Sequence, residues 1–274
     1  MTGRRTPSTI VLVGATAGIG RQAARALYAD GHRLILVGRT VARVTILADR
    51  MPGAVVLPGD VAVEAGVERI VATIRDRTDR IDTLINCAGV MRPRRDLTSD
   101  GTELNRAVHH LAPHRLTVGL LPLLRAGDGR VVNVNSEGHR AALFRPGPIR
   151  IDFDDLDSVD YDPFLAYSRS KLANLLDTFE LQRRHPELTA LAMHPGMVRT
   201  DLGRAFPRAQ VAAMHAISRA AGAAGRDLAQ LATARDVEGG AYYDRRRRSR
   251  PSDAALDRAT AAQLWKITEQ LRIS

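Results

Sequence analysis

Short runs of consecutive apolar residues recur along this chain, at 10–13, 34–37, 54–57, 81–85, 131–134 and 189–193, with stretches of helical periodicity between them. A strand with one wet face alternates apolar and polar residues; a run without alternation is buried on both faces, as in a parallel sheet covered by helices. The intervening helical stretches lie near 19–30, 40–50, 63–78, 101–125 and 164–184. This alternation predicts a doubly wound α/β (Rossmann) domain with helices on both faces of the sheet. A seventh strand at 240–243 and a last helix over 254–271 complete the expected seven-stranded, mostly parallel sheet. With 274 residues and no linker or break in composition, residues 1–274 read as a single domain. The segment 202–225 is rich in Ala and Gly and carries no strand signal, so it is expected to cover the substrate.

A net charge of +10 could attract nucleic acid, anionic lipid or a phosphorylated ligand. The arginines are spread along the whole chain, however, and aromatic residues make up only 4%, too few for a platform that stacks bases, so no nucleic-acid partner is expected. The densest basic cluster, Arg245 to Arg248 with Arg250, reads as a solvated surface loop. Cys87 is the only cysteine, which excludes an intramolecular disulfide and a cysteine zinc site. No grouping of His, Asp and Glu has metal spacing, and His110 and His114 read as ordinary helix residues. No apolar run approaches the roughly 18 residues of a membrane span, and the N-terminus lacks a signal-peptide pattern, so a cytoplasmic protein is expected.

The first apolar run leads directly into Gly14-Ala15-Thr16-Ala17-Gly18-Ile19-Gly20 and then a helix. Glycines in such a turn let the backbone approach a pyrophosphate, and the helix N-terminus supplies amide donors and a favourable dipole. The second run ends at Arg39, where an NAD enzyme would place an acid on the ribose 2′-hydroxyl. An arginine there, with Arg43 and the hydroxyls of Thr16 or Thr40 nearby, suits a 2′-phosphate and points to NADP(H) over NAD(H). Asp60 and Val61 follow the third run, and Asn86, Ala88 and Gly89 follow the fourth, at strand ends where such folds bind ligand. Lys171 is one of two lysines among 40 basic residues and stands four positions after Tyr167. That spacing puts a compact ammonium and a phenol on one helix face, where the ammonium can favour the phenolate.

Together these residues resemble the short-chain dehydrogenase/reductase family, in particular its retinol dehydrogenase-like and WW-domain oxidoreductase-like branch. The resemblance spans essentially the whole chain. It rests on the turn at 14–20, Arg39, Asp60, the NCAG of Asn86 to Gly89 and the NVNS of Asn133 to Ser136. It continues through the AYSRSKLAN of Ala166 to Asn174 and the HPGMVRT of His194 to Thr200. It implies an oxidoreductase that interconverts an alcohol and a carbonyl on a small apolar molecule. Tyr167 would be the general acid/base, Lys171 would tune it and hold the nicotinamide ribose, and Ser136 would hold the substrate oxygen. Asn86, Ala88, Gly89, Pro195, Gly196, Val198 and Thr200 match positions that line or bond the cofactor in relatives. Dimers or tetramers built through the helices flanking Tyr167 are expected on the same ground.

The chain departs from the family's pattern at Val13, Cys87 and Asn135, and most sharply at His109. There relatives carry a fourth catalytic residue, Asn, at a helix distortion whose main-chain carbonyl holds a water linked to the catalytic lysine. Pro113, four residues on, has no N–H, so the His109 carbonyl is expected to be left free and the helix to kink. Two readings follow: a working NADP-dependent oxidoreductase, or a catalytically weak NADP(H)-binding homologue acting as a sensor or interaction partner.

Overall fold

A computed structural model describes residues 7–142 and 146–271. The strands are β1 (Thr9–Val13), β2 (Arg33–Gly38), β3 (Val55–Pro58), β4 (Thr83–Asn86), β5 (Arg130–Val134), β6 (Thr189–His194), β7 (Tyr242–Asp244) and β8 (Arg247–Ser249). The helices are α1 (Gly18–Ala29), α2 (Val41–Arg50), α3 (Glu64–Arg75), α4 (Leu104–Arg106), α5 (Ala112–Ala126), α6 (Pro163–Arg184), α7 (Arg208–Ala216), α8 (Ala221–Thr233) and α9 (Arg258–Gln270).

The strands form one sheet in the order β3-β2-β1-β4-β5-β6-β7-β8, parallel throughout until the last pair. Chain order reverses between β1 and β4, whose register brings Val13 beside Asn86. The apolar runs are buried because both faces are covered. Ile10, Leu12, Leu36 and Ile85 pack on one side with Ala23 and Leu27 of α1 and Leu228 of α8. Val11, Val13, Leu84 and Val131 pack on the other with Ile70 and Ile74 of α3 and Leu116 and Leu120 of α5.

The sheet has eight strands, not seven. Beyond β7 the chain reverses through Arg245, whose φ of 58° lies in the left-handed region, and residues 247–249 return antiparallel with Tyr243 opposite Arg248. No apolar residue marks β8 because it is an edge strand of arginines, a composition that discourages further strand pairing. The basic cluster is largely paired: Arg246 Nε lies 3.3 Å from Asp227, Arg248 NH2 2.9 Å from Glu238, and Arg250 NH2 2.6 Å from Asp253. Residues 202–225 are not featureless either, since they contain α7 and the start of α8. Helix α8 went unseen because its contact is made by small residues. A Cβ on Gly225 would lie 2.4 Å from Gln22 Cβ, so only glycine lets α8 approach α1 this closely.

The helix expected over 101–125 is interrupted by a π-helical turn, Ala107–Leu111, between α4 and α5. Pro113 cannot donate to the His109 carbonyl, and the wider turn absorbs the mismatch. The carbonyl is not left free: Asn174 Nδ2 of α6 donates to it at 2.8 Å.

His114 is more than an ordinary helix residue. It is buried between α5, α6 and α9, with Nδ1 2.8 Å from Asp177 and Nε2 3.0 Å from Glu269, and its ring packs edge-on against Trp265. Burial alone would discharge it, but the two carboxylates overrule burial and hold its pKa up at about 9. His110, beside it, faces the same Asp177 from 3.9 Å and is driven down to about 3 by burial. A raised pKa contributes stability that is complete below the ordinary value near 6.5 and is lost as pH rises through about 9. Thermal unfolding across that window is therefore expected to show a fall in stability, about 3 kcal/mol at most, that His114→Leu lacks. Parallel pH profiles of the two proteins would contradict the assignment.

No helix among the described residues is long and apolar enough to cross a membrane. No group of three or more His, Cys, Asp or Glu among them is arranged to hold a metal ion.

Candidate active site

A cleft of about 780 Å³ opens at the carboxyl ends of the strands, lined by residues that follow β1 and β4 on either side of the reversal in strand order. Crevices at such a point are the ligand sites of open α/β sheets. Gly14, Thr16, Gly18, Ile19 and Gly20 line one end of it, together with Arg39, Asp60 and Val61. Ala88 and Gly89 form the floor beyond β4, and Pro195, Gly196, Val198 and Thr200 form the wall beyond β6.

Gly14 has φ 90°, and a Cβ there would lie 2.6 Å from Ala88 N, so the first turn can pass this close to the neighbouring loop only as glycine. Helix α1 begins at Gly18 after Ala17, which offers no capping side chain, and the first-turn amides border the cleft. Donors in that position fit a pyrophosphate. Arg39 and Arg43 are exposed at the same end, and Thr16 packs over Gly38 between them and the turn. Asp60 is held in place by accepting the Ala62 N–H at 3.0 Å.

At the other end of the cleft lie Ser136, Tyr167 and Lys171. Ser136 follows β5 in extended conformation and its Oγ accepts the Gly138 N–H at 3.1 Å. Asp162 caps α6, accepting the amides of Phe164 and Leu165, and so starts the helix where Tyr167 comes to face the cleft. Lys171 stands one turn further along; its Nζ donates to the Val134 carbonyl at 3.0 Å and lies 5.8 Å from the Tyr167 ring centre. Burial pulls this ammonium down to about 8, opposed by Cys87. Burial also raises the Tyr167 phenol above its ordinary value, and the opposing group is the Ser136 hydroxyl. The shift of the phenol is set by burial and by Ser136, and the lowering expected from Lys171 is not among its causes. Cys87, on the floor, is pushed up to about 12 by burial, which makes it a poor nucleophile.

Two residues expected in the site do not line the cleft. Asn86 is buried at the end of β4, and its Nδ2 donates to Asn133 Oδ1 at 2.8 Å. Asn133 in turn donates to Thr178, and Thr178 to the Asn174 carbonyl. Asn135 donates to both the Lys171 carbonyl and Asn174 Oδ1, and accepts the Ser136 N–H. Asn86, Asn133 and Asn135 thus act as buried struts tying β4 and β5 to α6. His109 is likewise buried behind Tyr167, at 1% exposure.

The cleft is completed by apolar residues that no motif marks, three of them in the segment 202–225 expected to cover the substrate. Met91, Phe164, Leu202, Val211 and Met214 line the same cleft as Tyr167, as does Glu137. The Glu137 carboxylate receives Tyr242 Oη at 2.6 Å and Arg140 Nε at 2.5 Å, so it is already engaged. Sequence reasoning missed His139, whose Nε2 accepts the Ser252 N–H at 3.1 Å. Its Nδ1 therefore carries the proton that is donated to the Ser136 carbonyl at 2.7 Å. The tail segment at 250–252 is tied through that ring to the residue expected to hold the substrate oxygen.

Comparison with known proteins agrees with this geometry. The short chain dehydrogenase family model matches residues 8–145. The chain is 34% identical to a provisionally named daunorubicin C-13 ketoreductase of Streptomyces sp. (strain C5), over 95% of this chain and 91% of that one. It is 32% identical to human retinol dehydrogenase 13, over 96% of this chain and 84% of that one. Among solved structures, a Mycobacterium paratuberculosis protein of uncharacterised activity superposes with a TM-score of 0.76 at 34% identity, covering 96% of this chain and 92% of that one. The glycine turn at the strand-order reversal, the Tyr167 and Lys171 face of α6 and these matches lead to one conclusion: the chain belongs to the short-chain dehydrogenase/reductase family of oxidoreductases.

Proposed function

We propose that this protein is an NADP(H)-dependent oxidoreductase that interconverts a carbonyl and an alcohol on an apolar small molecule, with Tyr167 as general acid/base. The observation that carries the reading is one continuous cleft with uncapped amides and Arg39 at one end and Ser136, Tyr167 and Lys171 at the other. A dinucleotide suits this distribution of donors and charge. The turn amides and α1 would hold the pyrophosphate, Arg39 and Arg43 a 2′-phosphate, and Lys171 the nicotinamide ribose. A bound reduced nicotinamide supplies the hydride that the carbonyl carbon accepts. Ser136 Oγ hydrogen-bonds the carbonyl oxygen, and Tyr167 Oη delivers a proton to that oxygen as its negative charge develops. In the reverse direction the phenolate takes the alcohol proton.

Apolar walls at Met91, Phe164, Leu202, Val211 and Met214 favour a bulky, weakly polar substrate. The names of the relatives, a ketoreductase and a retinol dehydrogenase, agree with that class. Residues 202–225 supply part of this wall through α7, in keeping with a segment that covers the substrate. The test is NADPH oxidation against a panel of aldehydes, ketones and quinones of increasing size. Turnover is expected to favour aryl and polycyclic carbonyls. NADPH binding without turnover on any member of the panel would support the sensor reading instead, which the replacement of the usual Asn by His109 favours.

A further inference from the structure

We infer that His109 is a positioning residue for Tyr167, which locks the phenol by joining the loop after β4 to the catalytic face of α6 through its own ring. The inference rests on the proposed role of Tyr167 and extends it to a residue outside the cleft. The His109 Nε2 accepts the Val90 N–H at 3.1 Å. An amide can only donate, so Nε2 carries no proton and the neutral ring must carry it on Nδ1. Nδ1 lies 2.8 Å from Ser170 Oγ and donates to it. Ser170 Oγ in turn donates to the Tyr167 carbonyl at 2.7 Å. The result is a directional chain, from Val90 through His109 and Ser170 to Tyr167, in which each donor has one acceptor.

The ring also makes a direct contact. Its plane stands at 88° to the Tyr167 ring, with the ring centres 5.4 Å apart, an edge-to-face arrangement that resists tilting of the phenol. On its other side it crowds Gly89, where an added Cβ would lie 3.4 Å from Nε2. Burial and the nearby Lys171 charge both oppose protonation, so the ring stays neutral and the chain keeps its direction. A shorter side chain at 109 would leave one of the two hydrogen bonds or the ring contact unmade.

Val90 lies in the cleft wall and immediately follows Gly89, which lines it too. His109 therefore couples the position of that wall to the position of the phenol. Displacement of a proton donor by a fraction of an ångström lowers turnover more than it lowers affinity, because the proton moves only in the transition state.

The test compares His109→Phe, His109→Gln, Ser170→Ala and the double variant His109→Phe/Ser170→Ala with the parent, using NADPH and the best carbonyl of the panel. His109→Phe keeps the ring and loses both hydrogen bonds. It is expected to lower kcat on the order of tenfold. KM and the NADPH Kd measured by fluorescence are expected to stay within about threefold, a split that places the loss in the chemical step. His109→Gln, which keeps a donor and an acceptor, is expected to recover most of kcat. Ser170→Ala is expected to lower kcat as well, and the double variant to be no worse than His109→Phe, because both lie on one chain. Ultraviolet difference titration, with Tyr167→Phe as the blank, is expected to show a displaced Tyr167 pKa in His109→Phe. Unchanged kcat and phenol titration in His109→Phe would overturn the inference, as would strictly additive losses in the double variant. If Tyr167→Phe itself retains turnover, the proposed function fails. If Tyr167→Phe is inactive while His109→Phe is not, only the role of His109 fails.

Discussion

Tyr167→Phe is expected to lower kcat by about 10³-fold while NADPH binds within about threefold of the parent affinity. The substitution removes one oxygen from a ring packed against His109, so the fold and the cofactor end of the cleft keep their contacts. Steady-state kinetics beside a fluorescence titration separates the two quantities, and retention of a tenth of the activity would assign the proton to another group. Lys171→Met sharpens the argument because its two effects have opposite signs. It is expected to be as inactive as Tyr167→Phe, yet more stable than the parent near neutral pH. Burial holds Lys171 at about 8, well below its ordinary 10.5, so keeping it charged costs the folded state about 3 kcal/mol. The cost is present in full below about pH 8 and is relieved as pH rises toward the unfolded value. Removing the ammonium also leaves the Val134 carbonyl without its Nζ donor, an offset of about 1 kcal/mol. A net gain of about 2 kcal/mol is therefore expected at pH 7, vanishing above about pH 10.

What could be read in advance follows from how strongly burial constrains residue type. The strands at β1, β2, β4, β5 and β6 are covered on both faces, so nearly every side chain in them must be apolar, and runs such as Ile10 to Val13 mark themselves. Backbone geometry is equally legible where only one residue type fits, as at Gly14. Helix α8 and strand β8 leave no such mark. Gly225 meets α1 through the absence of a side chain, and β8 is held by main-chain pairing with Tyr242 to Asp244, to which arginine side chains are indifferent.

The site divides along the same line. Residues at the ends of strands are placed by the sheet, which is why those after β1, β2 and β6 come together around one cleft. Asn86 lies away from the cleft because an amide at a strand end also suits another amide: with Asn133 opposite it in register, its Nδ2 donates across the sheet to Asn133 Oδ1 at 2.8 Å. His114 was unreadable because its partners, Asp177 and Glu269, lie 63 and 155 residues away in sequence. The apolar wall is contributed by loops, by Phe164 in the first turn of α6 and by α7, where no repeating geometry demands a residue type.

Arg39→Asp is expected to change cofactor choice outright. Arg39 stands exposed one residue beyond β2, at the end of the cleft that carries the turn amides, with Arg43 one helical turn away. A guanidinium paired with a 2′-phosphate contributes about 1.5–3 kcal/mol, and an aspartate in its place would repel that phosphate while accepting hydrogen bonds from a free 2′-hydroxyl. The ratio of kcat/KM for NADPH to that for NADH is therefore expected to fall by about 10²- to 10³-fold, with most of the change in KM. Arg39→Ala, which removes attraction without adding repulsion, should lie between the two, and its residual preference measures what Arg43 and Thr16 contribute. Added salt is expected to weaken NADPH binding to the parent more than to Arg39→Asp, since exposed charge pairs are screened. A ratio left unchanged by Arg39→Asp would move the 2′-phosphate away from β2 altogether. The turn amides and Lys171 would still hold the rest of the dinucleotide, and the choice between the two cofactors would be made by other groups of the cleft.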